Sequence, residues 1–229
     1  MHLLIVLYLL KRGSAFYVSQ AIKSTALFSQ REDIKSFVYL ESPTHESDCM
    51  CLHEMEASVR SSVNFDNSCN FKIDEIASMK AATSSVILPQ PFLEMDRFRK
   101  DLSDMIDLAS KYAIPGDNIS CRLALINGVR CPKWHEDSVK VRLIKTYYGQ
   151  GTEWVDPTDL VVRANNYFRS FMDWDLEVKD EKKIKAARVN DVLIISGKML
   201  EDSSIVPVLH RSPRVSETER RLLFTVTIS

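Results

Sequence analysis

"WHEDSVKVRLIKTYYGQGTEWV", residues 134–155, decides how the rest of the chain is read. From Val139 to Tyr148 its β-branched and aromatic residues give a strand, and Gly149 and Gly151 mark a turn before a second short strand, 152–155. The Gly-x-Gly reads as that turn rather than as a phosphate cradle. Just before the strand, His135 and Asp137 stand two residues apart. Side chains alternate on extended backbone, so both project from one face and one metal ion can meet both.

Outward from this stretch, further strands are expected at 119–126, 191–197, 204–210 and 220–228, with Gly128 and Gly197 at strand ends. Asp156-Pro157 has the form of an N-cap with Pro at the first helical position, so a helix is expected through residues 158–174. The charged run 177–190 reads as a solvated connection.

The N-terminal half reads as helical support. "IDEIASMKAA" (73–82) gives one helix, and 91–116 gives a second with Pro at its start and Pro-Gly at its end. Met95, Phe98, Leu102, Met105, Ile106, Ala109 and Tyr112 recur at three- and four-residue steps, which is the buried stripe of a scaffold helix. "SFVYL" (36–40) reads as a short strand. Cys49, Cys51 and His53, with His45 nearby, have ligand-type side chains but no second cluster at finger spacing, so an exposed loop is the plainer reading.

The apolar run "LLIVLYLL" (3–10), followed by Ser14-Ala15, sets residues 1–30 apart as a leader or targeting segment. No basic residue precedes that run, and the alternative is a first strand or helix packed on the domain, or a misassigned start. The stretch around Phe16 is similar to the two-part presequences that direct proteins to complex plastids. An intracellular site is expected, in the cytoplasm or in a plastid-type organelle.

With 229 residues, 45% of them hydrophobic, the chain can bury a full core. Thirty basic against 31 acidic residues leave a net charge of -1, so no nucleic-acid partner is expected. Five widely spaced cysteines read as thiols rather than a disulfide framework. No segment approaches the roughly 20 apolar residues of a membrane span.

His-x-Asp is a common pair and gains weight only from its context. The β-rich half holds just one other histidine, His210, at the end of "VPVLH" before the final strand. Two histidines and a carboxylate on neighbouring strands make the facial triad that suits non-haem Fe(II), and the same donors also suit zinc. Cys131 precedes His135, and a bend at Pro132 would bring it in as a fourth ligand favouring zinc; the alternative is a small framework residue.

The last strand opens with Arg220 and Arg221, which face opposite ways, and the sequence leaves open which one faces the site. A guanidinium at Arg221 is able to form a two-point pair with a co-substrate carboxylate; the alternative is that both arginines merely solubilise the start of the strand. Arg211 and Arg214 add positive charge beside His210, suited to an anionic ligand or to pairing with Glu217 and Glu219. Trp134 alternates away from His135 and reads as packing. Glu153 reads either as orienting a ligand or as a turn residue.

Strand by strand, these segments resemble the 2-oxoglutarate- and Fe(II)-dependent oxygenases. That resemblance implies an α+β fold whose C-terminal part, 119–229, is a double-stranded β-helix, a cupin-like jelly roll, with a helical insertion at 156–190 and residues 31–118 as support. It implies His135, Asp137 and His210 as iron ligands, Arg221 as the 2-oxoglutarate anchor, and Tyr147 or Tyr148 as a second contact to that co-substrate. The expected activity is that of a mononuclear Fe(II) oxygenase on an unknown small-molecule or protein substrate. A non-catalytic, zinc-handling protein with the same site is the alternative.

Residues 120–229 also resemble the uncharacterised family known as domain of unknown function 1826, marked by Cys-Pro-x-aromatic-His-x-Asp and a later His-Arg-Ser-Pro. Here those motifs are Cys131 to Asp137 and His210 to Pro213. This resemblance implies a metal site, and a functional link to the zinc-homeostasis GTPases beside which bacterial members are often encoded.

Overall fold

The computed structural model describes residues 35–36, 38–41, 52–156, 159–163, 175–200 and 205–229. In chain order, the N-terminal part holds strands β1 (Lys35–Ser36) and β2 (Val38–Glu41), helix α1 (Leu52–Ser61) and strand β3 (Phe65–Lys72). Helices α2 (Ile76–Ile87), α3 (Gln90–Leu93) and α4 (Asp96–Ser110) follow. The strands beyond them are β4 (Asn118–Asn127), β5 (Val141–Tyr148), β6 (Glu153–Val155), β7 (Leu160–Arg163) and β8 (Asp175–Val178). The last five are β9 (Lys185–Ala186), β10 (Val192–Ser196), β11 (Ile205–Val206), β12 (Leu209–Arg211) and β13 (Arg220–Ile228).

Alternation explains the larger sheet. Ile119, Cys121, Leu123 and Leu125 of β4 share one face and are fully buried, as are Leu222, Phe224, Val226 and Ile228 of β13. Antiparallel pairing gives six strands in the order β2-β10-β5-β13-β4-β3. Against this face pack Met55 and Val59 of α1, Ile87 of α2, Phe92 of α3, and Phe98, Leu102, Met105, Ile106 and Ala109 of α4. Each such side chain contributes about 1.5–3 kcal/mol on burial, so helices and sheet stand or fall together.

The other face of the sheet carries a second apolar cluster. Ile144, Leu193 and Ile195 meet Trp154, Ala187 and Val208, which lie on or beside the three-stranded antiparallel sheet β12-β6-β9. The molecule is therefore a mixed α/β protein of three layers, with helices, a large sheet and a small sheet. The candidate ligands lie at the small sheet.

Four expectations change in detail. The helix expected over 91–116 is two, because Met95 leaves helical geometry at ψ 86° and turns the chain so that Phe92 and Phe98 both enter the core, 5.6 Å apart. The helix expected over 73–82 begins as a 3-10 turn and runs on to Ile87, where packing of Ile87 and Thr83 overrides the weak helix propensity of Thr-Ser-Ser. The helical insertion expected within 156–190 is corrected where it is described. There Leu160–Arg163 and Asp175–Val178 pair antiparallel, as β-branched Val161 and Val162 favour, and Lys185–Ala186 joins the small sheet. Residues 1–30 and Cys49 and Cys51 lie outside the described residues.

The fourth change concerns Tyr147 and Tyr148. The register of β5 against β13 shifts between Leu222 and Leu223, so Tyr147 is an extra, bulged residue. Its ring stands edge-on to Phe98 at 4.7 Å, and its hydroxyl donates to Asp101 of α4. Burial, with Asp101 beside it, pushes that hydroxyl well above the ordinary tyrosine value, so it stays a donor. Tyr148 also packs against the main core. Both therefore pack on the helix side, away from the small sheet.

Asp101 also takes the buried Lys145 at 2.7 Å, tying α4 to β5. Asp101→Ala should cost about 2 kcal/mol, because the Lys145 ammonium is then left without its partner. A lower urea midpoint at unchanged slope is the expected reading; an unchanged midpoint would show the tie to be unimportant.

Candidate metal centre

His135 and His210 are direct cross-strand partners. Each backbone N–H donates to the other's carbonyl at 3.0 Å, an antiparallel pair that sets both side chains on one face. Ser212 N–H donates to the Cys131 carbonyl at 2.9 Å and extends the ladder, so 131–135 runs beside β12. Asp137 lies two residues beyond His135, and alternation returns it to the same side.

The ligand atoms of His135, Asp137 and His210 all lie within 4.8 Å of one another. His210 Nε2 is 3.3 Å from Asp137 Oδ2, and His135 Nε2 is 3.8 Å from Oδ1. His210 and Asp137 are buried, while the His135 side chain is 35% exposed, so the group opens to solvent on that side.

The second ring nitrogens decide what the group can do. His135 Nδ1 is 2.9 Å from the Lys133 carbonyl, and His210 Nδ1 is 3.0 Å from the Val208 carbonyl. A carbonyl only accepts, so each Nδ1 carries a hydrogen, and each ring turns its Nε2 toward Asp137. Three ligand-type atoms facing one point, one of them on a carboxylate, form a cluster that a cation fits. Asp137 Oδ2 adds to this: it is buried, and among the described residues it has no hydrogen-bond partner. Two imidazole nitrogens and a carboxylate oxygen fit a divalent transition metal ion.

Arg142 of β5 was not singled out in the sequence. Its Nη1 is 2.8 Å from Asp137 Oδ2, without hydrogen-bond angles, and its Nε donates to Thr227 Oγ1 at 3.1 Å. Burial pushes the Asp137 carboxyl up, but His210, Arg142 and His135 more than offset this and hold it below the ordinary value. The ionised form therefore favours folding above the ordinary Asp range, and that contribution is lost as pH falls through the lowered value.

The two arginines opening β13 separate cleanly. Arg220 donates to the Val59 and Ser62 carbonyls and to Asn64, on the helix side. Arg221 takes the opposite face, toward the small sheet, and is 1% exposed. Its Nε donates to the Gln150 carbonyl at 2.7 Å, and no carboxylate among the described residues lies within ion-pairing distance. Burial lowers its pKa to about 10, with Glu219 and Glu153 acting weakly against this from farther off. Gly149 makes room for this strand: at φ +83°, a Cβ there would stand 2.4 Å from the Arg220 carbonyl and 2.9 Å from Arg221 Cγ.

The remaining candidates fall outside the group. Cys131 is exposed and is not among the three clustered side chains, so the fourth-ligand expectation is corrected: its backbone, not its thiol, joins the ladder. Tyr147 shares the helix-side face of Leu143 and Lys145, and the bulge turns Tyr148 to that face as well, so both stand away from Arg221. Arg211 pairs with Glu153 at 2.7 Å and lies over the Trp134 ring at 4.3 Å, so both partners serve the framework. Trp154 faces His210 across the small sheet and belongs to the apolar cluster. No described helix is long and apolar enough to cross a membrane.

A family model described as "Protein of unknown function (DUF1826)" matches residues 40–226. No curated protein matches the chain. Among solved structures, the rice dioxygenase for auxin oxidation is similar at 11% identity over 83% of this chain and 72% of that one, with a TM-score of 0.43. The viral collagen prolyl hydroxylase of a Paramecium bursaria Chlorella virus is similar at 10% identity over 83% of this chain and 94% of that one, with a TM-score of 0.37. At these scores neither likeness carries an argument about this chain.

Proposed function

The chain belongs to the family described as Protein of unknown function (DUF1826), and within it we propose that this member is a mononuclear, non-haem Fe(II)- and 2-oxoglutarate-dependent oxygenase. The observation that carries this reading is the convergence of two Nε2 atoms and the Asp137 carboxylate, with both Nδ1 atoms held by backbone carbonyls. Three protein ligands on one side leave the other side open for a co-substrate. Arg221, buried without a counter-ion, supports a carboxylate-bearing co-substrate.

The strand order supports a double-stranded β-helix. As the chain advances from β4 through 131–137 to β13, it passes back and forth between the two sheets, with β4-β13-β5-β10 in one and 131–137, β12, β6 and β9 in the other. The helices of 31–118 then serve as its outer support.

Bound at this site, Fe(II) with 2-oxoglutarate and oxygen supplies an oxidant for an unactivated C–H bond. The chain's own part is to bind and orient. His135, His210 and Asp137 hold the metal, and Arg142, beside Oδ2, balances part of the Asp137 charge. Arg221 holds the far carboxylate of the co-substrate. Ile144, Trp154, Leu193 and Ile195 keep the space between the sheets dry, which strengthens those charge contacts.

Anaerobic addition of Fe(II) and 2-oxoglutarate should give a weak visible charge-transfer band, and oxygen should then yield succinate without a prime substrate. Tight zinc binding with neither signal would overturn the oxygenase reading in favour of a zinc-handling protein.

A further inference from the structure

Two of the described thiols stand opposite each other. Cys69 of β3 and Cys121 of β4 are direct partners in the antiparallel register, and both pack in the helix-side core. Ile73 N–H donates to the Asp117 carbonyl at 3.0 Å, and alternation along the ladder makes Cys69 and Cys121 a pair of the same hydrogen-bonded kind. The Cα atoms of such a pair lie about 5.5 Å apart, inside the roughly 4.4–6.8 Å that a disulfide spans. β3 ends the strand order of its sheet and is paired to β4 alone, so it has room for the small shift that bonding requires.

The surroundings of the two sulfurs differ. Cys121 is fully buried, and its S–H donates to the sulfur of Cys69. Cys69 is partly exposed, and 3.7 Å from its sulfur stands Thr83 Oγ1 of α2, a hydroxyl able to donate to a thiolate. The hydrogen bond from Cys121, with that from Thr83, outweighs burial and brings the Cys69 thiol down to about 7. The same contact, together with burial, pushes Cys121 far above the ordinary value. One sulfur is thus a thiolate near solvent, and the other a thiol held against it, which is the arrangement of an attacking and a resolving cysteine. Cys131, the third described cysteine, lies beside β12 in the other layer.

We propose that Cys69 and Cys121 form a reversible redox site for hydroperoxides, in which Cys69 attacks, Cys121 resolves, and the resulting disulfide ties the helical layer to the sheet. With hydrogen peroxide, the Cys69 sulfur attacks one oxygen and the O–O bond breaks, leaving a sulfenic acid and a hydroxide that takes a proton to become water. The Cys121 sulfur then attacks the Cys69 sulfur. The S–O bond breaks, and the departing hydroxide takes the Cys121 proton and leaves as a second water. Two thiols have lost two electrons and the peroxide has gained them. A dithiol reductant reverses the change by exchange. The loop so closed contains α2, α3 and α4 whole, so oxidation stiffens that layer and leaves the metal centre, on the other side of the large sheet, alone. The site does not depend on the function proposed for that centre.

The test is treatment of the folded, full chain with a small excess of hydrogen peroxide, followed by alkylation, digestion and mass mapping of every cysteine. The expected product is a disulfide between Cys69 and Cys121, lighter than the reduced chain by two hydrogens and reopened by dithiothreitol, with Cys131 still open to alkylation. The thermal midpoint should rise on the order of 5–10 °C on oxidation, because the bond closes a long loop. Cys121→Ser should stop at a sulfenic acid on Cys69 that dimedone traps, and Cys69→Ser should leave Cys121 a thiol. A map in which Cys69 and Cys121 stay reduced, or pair with other cysteines, overturns the proposal. So does a midpoint that fails to rise. These readings on the unaltered chain decide the matter even where a variant does not fold.

Discussion

Asp137→Ala is expected to abolish stoichiometric metal binding, with affinity falling on the order of 10³-fold. Two imidazoles would remain, held in place by their Nδ1 contacts but without the anion that balances the ion's charge. The fold should persist with stability lowered by the charge contacts that the ionised carboxylate makes, and its neighbour Arg142, partly exposed, can turn to water. Metal content after dialysis and the circular dichroism spectrum give the two readings. Metal retained at one equivalent would mean that the ligands lie elsewhere.

Arg221→Met should produce the converse pattern. Its long apolar chain fits the same slot, so metal affinity should hold while 2-oxoglutarate affinity drops about 100-fold or more, the loss of a two-point charged contact. The ligand-free variant should be as stable as the parent or more so, since a buried cation without a carboxylate partner is costly. Calorimetry and thermal unfolding on the metal-loaded and metal-free proteins separate these effects. A variant that unfolds earlier yet binds the co-substrate normally would make Arg221 a structural residue and remove the anchor.

Strong periodicity made much of this molecule legible. β4, β5 and β13 follow the alternation of the sequence closely, and the stripe on α4 is buried as its spacing requires. The grouping of His135, Asp137 and His210 rests on rules of the same kind: a two-residue step on one strand, and a neighbour on the next. Non-local register was not legible. Nothing near Tyr147 announces a bulge, because the shift arises from pairing with Leu222 and Leu223 far along the chain. Arg142 stayed hidden for the same reason: it looks like an ordinary strand residue until its face is known. The paired strands at 160–163 and 175–178 show a different limit, in which a good cap at Asp156-Pro157 preceded a run whose valines favour extended backbone.

The bond between His135 and His210 has a consequence for what the chain can tolerate. Two reciprocal backbone hydrogen bonds, with the Ser212 to Cys131 bond beside them, fix where 131–137 lies against β12. Adding or deleting one residue there would turn His135 or Asp137 to the outer face while leaving both sheets and the helical core intact. The segment can therefore absorb many changes of residue type but none of length: its spacing, more than its composition, is what makes it a site.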